Sequence, residues 1–356
     1  MKLLIVMESY IVCTSLIQKA RGGNIVSILN ELKNAGIYSG IEHRICELKA
    51  SIDPVPGVSI NGRFFYLTFR DKKITEREFA KFIYDKIIRY CIPRKKYQEA
   101  VLKFKETGDE RFINDLHDQA KNLFVKSLNK HGAHLGEPGE LIAFVILEAF
   151  FNAPQIACKM FLKTSEKMPV HGSDSVHIRL LSEDKLELIW GEAKLYGEIS
   201  GAFDKAIDSV CEFVYGKPDE DGRVPRDRDI DIIKDMPDVD SPEIKTALLE
   251  YFDPYEKNSN NWKELYFCLV GFDYALYSDL KGSSDEEIEC YFKQKYMERI
   301  LSAYKLFAKK VDNKKLNDLE FVLVLLPFEN VENFRAEFLK LLGVSIKKRL
   351  GDDQND

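Results

Sequence analysis

The middle of the sequence constrains the fold most, because segments of helical and extended character alternate there. Apolar residues at helical spacing predict one helix over residues 141–151 and another over residues 199–215. Runs rich in β-branched and aromatic residues predict strands at 156–162, 176–181, 186–195 and 265–271. The order helix, three strands, helix, strand indicates an α/β protein whose mixed central sheet is flanked by helices.

The chain has 356 residues, which is enough for one large domain or two medium ones. We expect an N-terminal α+β region over residues 1–105 that packs on a core over residues 106–350. The polar tail over residues 351–356 is expected to be disordered. Residues 216–240 contain three prolines among many Asp and Arg residues, and they are predicted to form a long surface excursion.

Cysteine usage and hydropathy narrow the class of protein. The seven cysteines form no close pairs, which excludes a zinc finger and indicates reduced thiols. The apolar start of the chain is interrupted at Glu8, and no apolar run approaches the roughly 20 residues of a membrane-spanning helix. We therefore expect a cytoplasmic protein.

The net charge of −6 opposes unaided binding to nucleic acid, which needs a local surplus of Lys and Arg. The best basic cluster runs from Arg94 through Lys95 and Lys96 and continues at Lys103 and Lys105. Such a cluster is either a solvated helix face or a track for DNA. The acidic balance favours a partner that supplies much of the affinity for DNA.

The triplet Glu192-Ala193-Lys194 stands out because of where it lies. Other Glu-x-Lys triplets begin at Glu31, Glu47, Glu183 and Glu243, so the triplet alone means little. Here the period-two alternation of a strand puts four side chains on one face: Leu188, Trp190, Glu192 and Lys194. Two charges on a strand that starts apolar are costly to bury unless they act together. The alternative is a strand end emerging into solvent.

Asp174 favours the first interpretation. It lies where the preceding strand begins, so an antiparallel pair joined by a turn would bring it beside Glu192 and Lys194. Carboxylates of this kind suit Mg²⁺, with Mn²⁺ able to substitute. A metal there would stabilise charge on a scissile phosphate and acidify a water, while the lysine orients or helps to deprotonate that water.

Glu140 is a candidate fourth member of this site. It is either a first-turn glutamate that favours the helix dipole or a third carboxylate aimed at the same metal. The predicted catalytic set is therefore Asp174, Glu192, Lys194 and Glu140, and the predicted metal ligands are its three carboxylates.

Four histidines give a competing hypothesis. Imidazole suits transition metals, and the residues concerned are His131, His134, His171 and His177. No His-x-x-x-His face or cysteine partner supports such a site, and His177 is expected to flank the carboxylates or pack on its strand.

Three short stretches together resemble a known family. They read Gly-Glu-Leu at residues 139–141, Gly-Ser-Asp-Ser-Val-His at 172–177 and Gly-Glu-Ala-Lys-Leu-Tyr at 191–196. They are similar to the HamA family, the nuclease-like subunits of the Hachiman anti-phage defence system. The element order likewise resembles the restriction-endonuclease-like (PD-(D/E)xK) core.

The resemblance implies a PD-(D/E)xK DNA nuclease that works with the superfamily-2 helicase HamB. Asp174, Glu192 and Lys194 match the family motif, and Glu140 matches it more loosely. Two alternatives stay open at this point: a helicase-binding regulatory subunit with little or no cutting of its own, and a nuclease that acts on RNA.

Overall fold

A six-stranded mixed sheet forms the centre of the protein. The computed structural model describes residues 38–130, 137–163, 172–182, 185–239, 245–246, 248–249, 252 and 262–344. The predicted tail over residues 351–356 lies outside them. The strands of the described part are β1 (Ile45–Leu48), β2 (Ser59–Leu67), β3 (Phe69–Arg70), β4 (Lys73–Ile74), β5 (Ser175–Ser182), β6 (Lys185–Tyr196), β7 (Trp262–Asp273) and β8 (Glu320–Phe328).

The order of the large sheet is β1-β2-β8-β7-β6-β5, and β3 pairs with β4 in a separate ribbon. Strands β2, β8, β7 and β6 run parallel to one another, whereas β1 and β5 are antiparallel to their neighbours at the two edges. The predicted mixed sheet is confirmed. Its N-terminal strands β1 and β2 belong to the same sheet as β8, and the division at residue 105 stays a prediction.

Helices cover both faces of the sheet. In the described residues they are α1 (Glu76–Tyr84), α2 (Ile87–Cys91), α3 (Arg94–Thr107), α4 (Arg111–Lys130), α5 (Glu137–Phe150), α6 (Lys159–Lys163), α7 (Ile199–Tyr215), α8 (Pro225–Asp235), α9 (Asp285–Asn313) and α10 (Val331–Leu341). Short 3-10 helices lie at Ile41–His43 and Ala275–Asp279. None of these helices combines the length and apolar character needed to cross a membrane.

The two faces of the sheet bury separate apolar clusters, as strand alternation requires. Helices α5 and α10 pack against the face that carries Ile189 and Ala193. Helices α7 and α9 pack against the face that carries Trp190 and Cys268. Because both faces are covered, β7 and β8 are apolar along nearly their whole length, which is typical of buried parallel strands.

The elements predicted around the site are confirmed with one exception. The strands at 176–181 and 186–195 lie within β5 and β6, and the helix at 199–215 is α7. The strand predicted at 156–162 is wrong, because the chain there forms only an isolated bridge at Gln155 and then turns into α6. A short buried apolar run does not distinguish strand from helix by periodicity.

Part of the segment predicted as a surface excursion is ordered and packed. The sequence predicts a surface excursion here, but Pro225 occupies the first turn of α8, a position that suits proline. Asp229 and Ile233 of this helix are buried. The segment therefore contributes to the protein interior as well as to its surface.

Helix α5 approaches β6 at Gly139. A Cβ added there would lie 3.2 Å from Leu195 Cγ and 3.4 Å from Ala193 Cβ. We predict that Gly139→Val lowers the free energy of unfolding by about 1–3 kcal/mol, because the added carbons overpack this contact. Urea denaturation measures the change. Gly201→Ala is the control, since its Cβ would meet only Glu198 Oε2 at 3.8 Å. An unchanged stability in Gly139→Val would contradict the close packing.

Candidate active site

Strand β6 is longer than the edge strand that pairs with it. The β5–β6 register begins with Ser175 opposite Gly191, and the Asp174 N–H donates to the Gly191 carbonyl at 2.9 Å. Strand β6 continues to Tyr196 and remains paired with β7 on its other side. Among the described residues, the end of β6 thus has no strand on its outer edge, and side chains can approach it from both faces of the sheet.

The carboxylate of Asp174 takes the place of the missing strand. Its Oδ2 accepts a hydrogen bond from the Ala193 N–H at 2.9 Å. Because Ala193 lies between Glu192 and Lys194, this bond fixes the Asp174 carboxylate beside both of them. The structure therefore brings together the three residues on which the sequence prediction depends.

Glu192 and Lys194 share the face of the sheet that α7 covers. Their side chains form an ion pair and are 9% and 21% exposed, respectively. Ser209 of α7 hydrogen-bonds Glu192, and Cys268 of β7 lies opposite Glu192 in the sheet. The pair is thus almost enclosed, with a limited opening at Lys194.

The charges at this site shift one another's pKa. Burial and the neighbouring Asp174 charge raise the pKa of Glu192 to about 7. Burial opposes the charged form of Lys194, but Glu192, Asp174 and Glu140 together hold its pKa above the usual value. The lysine is consequently a protonated donor in this arrangement, while Glu192 can change its charge near neutral pH.

Glu140 reaches the site from the opposite face of the sheet. It is buried in the first turn of α5, and its Oε2 accepts a hydrogen bond from the Tyr90 hydroxyl at 2.6 Å. Its charge acts on Lys194, which places it near the other three residues. Tyr90 itself is fully buried in α2, and burial together with the Glu140 charge raises its pKa.

Sequence reasoning missed three neighbours of the site: Tyr90, Ser209 and Cys268. Tyr90 and Cys268 lie on elements distant in sequence from the motif, and only the folded sheet brings them close. Ser209 had a usable signal, because it is a polar residue in a helix whose neighbours, Ala206 and Val210, are buried.

The donor chemistry of the site fits a hard divalent cation. In the described part of the chain, no three His, Cys, Asp or Glu side chains are grouped so that they could hold a metal ion. Two of the candidate carboxylates have protein partners, since Glu192 is paired with Lys194 and Glu140 accepts a hydrogen bond from Tyr90. Mg²⁺ commonly takes only one or two carboxylates, with waters and substrate phosphates completing its shell. Asp174 and Glu192 meet that requirement.

The histidine hypothesis gains no support. Three of its four residues, His131, His134 and His171, lie outside the described residues. His177 is buried on β5, its Nδ1 lies 2.8 Å from the Ala153 carbonyl, and burial lowers its pKa to about 3. This histidine is a neutral core residue that packs on its strand.

The basic cluster is smaller on the surface than in the sequence. Arg94 is buried, its backbone N–H donates to Asp238 Oδ1 at 2.7 Å, and its Nη2 donates to the Gln155 carbonyl at 3.1 Å. Lys95 and Lys96 remain exposed on α3. Arg94 therefore holds the fold together and does not contribute to a track for DNA.

The fold and the site define an α/β protein with a carboxylate–lysine cluster at the open end of a sheet-edge strand. The sequence model of the HamA family matches residues 42–342. The chain belongs to the HamA family, whose members are components of Hachiman defence. A search among curated proteins finds no match.

The raised pKa of Glu192 predicts how stability depends on pH in a metal-free buffer. An unfolded glutamate titrates near pH 4.3, so between about pH 4.3 and pH 7 the folded state keeps a proton that the unfolded state has lost. The free energy of unfolding should therefore fall as pH rises through this range and then level off. In Glu192→Gln, the change in the free energy of unfolding between pH 5 and pH 8 should be about 2 kcal/mol smaller than in the wild type.

Chemical denaturation at a series of pH values measures this difference. Glu212→Gln is the control, because Glu212 is an exposed residue of the same helix that carries Ser209. Identical pH profiles for wild type and Glu192→Gln would show that Glu192 titrates at its ordinary value.

Proposed function

We propose that this protein is a metal-dependent DNA nuclease, the effector of a Hachiman defence complex, whose cutting is controlled by a partner helicase. The observation that carries the proposal is the meeting of Asp174, Glu192 and Lys194 at the end of β6 in a chain of the HamA family. Two carboxylates and one ammonium at a partly open edge form the set that phosphodiester hydrolysis needs.

The restriction-endonuclease-like interpretation of the core agrees with the element order. Helix α5, strands β5 and β6, helix α7 and strand β7 occur in that order along the chain, with α6 between α5 and β5 and α8 between α7 and β7. The candidate residues lie on the first three of these elements or directly before them. We therefore assign the PD-(D/E)xK motif to Asp174, Glu192 and Lys194, with Glu140 as an additional carboxylate.

Each residue has a distinct role in the proposed reaction. Asp174 and Glu192 would hold Mg²⁺, or Mn²⁺ in its place, which when bound supplies Lewis acidity and a more acidic water. The Lys194 ammonium, anchored on Glu192, is positioned to donate a hydrogen bond to the attacking water or a phosphate oxygen. Glu140, held by Tyr90, adds negative charge beneath the site.

Two features support the proposed control by a helicase: the charge of the protein and its family. A net charge of −6 gives little long-range attraction for DNA, and Arg94 is committed to the interior. A larger DNA-handling partner would supply the phosphate contacts. On the strength of the family resemblance, we propose that this partner is the superfamily-2 helicase HamB.

One observation favours a second function, a helicase-binding regulatory subunit with little cutting of its own. The carboxylates of Glu192 and Glu140 are engaged by Lys194 and Tyr90 in this conformation. A site that must rearrange to take a metal suits either a nuclease that is switched on or one that is silent. Cleavage assays with and without the helicase separate the two.

We predict that substitutions at the site abolish cutting without unfolding the protein. Lys194→Ala should slow hydrolysis of plasmid DNA by roughly 10²–10⁴-fold, because it removes a positioned proton donor. Asp174→Asn and Glu192→Gln should eliminate Mg²⁺-dependent cutting. The assay uses purified protein with its helicase, with Mg²⁺, Mn²⁺ or EDTA.

Lys263→Ala is the matched control, since Lys263 pairs with Glu320 where β7 and β8 begin, at the opposite end of the sheet. It should leave cutting unchanged. Full activity in either carboxylate variant would place the metal elsewhere. If the protein cuts RNA and not DNA, and EDTA abolishes that cutting, the protein is an RNA nuclease and the DNA assignment is wrong.

We also predict a stable complex with the proposed partner helicase, HamB. The two chains, produced together, should elute as one species in size-exclusion chromatography at micromolar concentration. This protein alone should cut duplex DNA much more slowly than the complex with ATP. Separate elution, together with full-speed cutting by this chain alone, would replace the controlled effector with a stand-alone nuclease.

A further inference from the structure

We propose that the buried ion pair between Lys159 and Asp229 positions Asp174, and so sets the geometry of the candidate active site. This inference rests on the proposed function for its consequence in cutting, but its structural part stands on contacts alone. Neither residue belongs to the motif. Lys159 lies on α6 and Asp229 lies on α8, within the segment that the sequence predicts to be a surface excursion.

Among the described residues, the polar contacts of the pair converge on Ser173. Asp229 Oδ2 accepts hydrogen bonds from Lys159 Nζ at 2.7 Å, from the Ser173 N–H at 3.0 Å and from Ser173 Oγ at 2.8 Å. Lys159 Nζ also donates to Ser173 Oγ at 3.2 Å and to the Ser173 carbonyl. The backbone N–H, the backbone carbonyl and the hydroxyl of one serine are therefore all held by the same two side chains.

Burial of this pair is nearly complete, since the Lys159 and Asp229 side chains are each 1% exposed. Desolvating two charges is costly, and well-packed apolar residues often stabilise a fold equally well. Stability alone therefore does not explain the pair. Positioning does, because a charged pair can orient the three polar groups of Ser173 and two apolar side chains cannot.

The chain has no room to shift at this point. A Cβ on Gly172 would lie 2.4 Å from Asp229 Oδ1, so the backbone of the turn runs directly against the carboxylate. Asp174 lies between two residues whose positions are fixed. Ser173 is hydrogen-bonded to the ion pair, and Ser175 is paired with Gly191 in the sheet. From this position its carboxylate accepts the hydrogen bond from the Ala193 N–H.

Helix α8 is itself anchored on both sides of Asp229. Arg226 Nη1 donates to Glu264 of β7 at 3.3 Å. Beyond the helix, the Asp238 N–H donates to the Ile156 carbonyl at 2.7 Å. The carboxylate of Asp229 is thus carried by a helix tied to the sheet and to the segment that leads into α6, which makes it a firm reference point for Ser173.

The test separates positioning from stability with a double substitution. Lys159→Met/Asp229→Leu replaces the pair by apolar side chains and should recover most of the stability that either single substitution loses. Ser173→Ala is a milder second variant, which removes only the hydroxyl contacts. The control is Arg223→Met/Asp231→Leu, which removes an exposed ion pair at 2.9 Å that also involves α8.

Three measurements are made on the full chain. Urea denaturation gives stability, NMR hydrogen exchange follows the Ala193 amide, and plasmid cleavage with the helicase and Mg²⁺ gives activity. In the apolar double variant we expect the Ala193 amide to exchange at least tenfold faster, because its bond to Asp174 is lost, while core amides such as that of Val270 keep their protection. Cleavage should fall by about 10²-fold, the effect expected of a misplacement near 1 Å. The control should change neither.

Wild-type exchange at Ala193 in a stable double variant would overturn the inference and leave the pair with a purely structural role. If the double variant does not fold, Ser173→Ala is used in its place. Unchanged hydrogen exchange of the Ala193 amide in Ser173→Ala would then overturn the inference. If the wild-type protein cuts no nucleic acid, the proposed function fails, yet Ala193 exchange still decides whether the pair positions Asp174.

Discussion

Strand β5 begins opposite Gly191 while β6 continues to Tyr196, and the Asp174 carboxylate accepts a hydrogen bond from the Ala193 N–H, which lies beyond the start of β5. The site depends on this one hydrogen bond. A buried amide N–H needs a hydrogen-bond acceptor, which in a sheet is usually the neutral backbone carbonyl of the neighbouring strand. Here the acceptor is a side-chain carboxylate, which puts a negative charge at the sheet edge. Because β6 is longer than β5, the edge at the end of β6 is unpaired in the described part of the chain, and the carboxylate of Asp174 occupies it.

The same bond contributes to the electrostatics of the cluster. Burial raises the pKa of Glu192 most, and the charge of Asp174, fixed beside it, raises that pKa further. Lys194 offsets part of this repulsion and is held protonated in return. Two carboxylates with only one ammonium leave a net negative charge in a buried place. A bound divalent cation would neutralise that charge. This chemistry supports the proposed metal-dependent function.

Much of this could be predicted from the sequence, because the relevant signals are local. Alternation along residues 186–195 gave the face of Glu192 and Lys194, and the antiparallel turn placed Asp174 beside them. The support for the site could not be predicted in the same way. Tyr90, Lys159 and Asp229 reach it through tertiary packing, and no spacing in the sequence links them to the motif. The apolar run at 156–162 predicted a strand where α6 lies. The prolines of 216–240 predicted a surface excursion where α8 lies, because a proline can begin a helix, as Pro225 does, as well as interrupt one.

We propose that Asp174 and Glu192 hold a divalent metal at the end of β6. Anomalous diffraction from crystals of the protein soaked in Mn²⁺ locates such a metal. We expect an anomalous peak bound by both carboxylates, with Lys194 displaced from Glu192, and no such peak in crystals of Asp174→Asn. A peak held by other residues, or no peak in this site in a protein that cuts DNA with Mn²⁺, would contradict it.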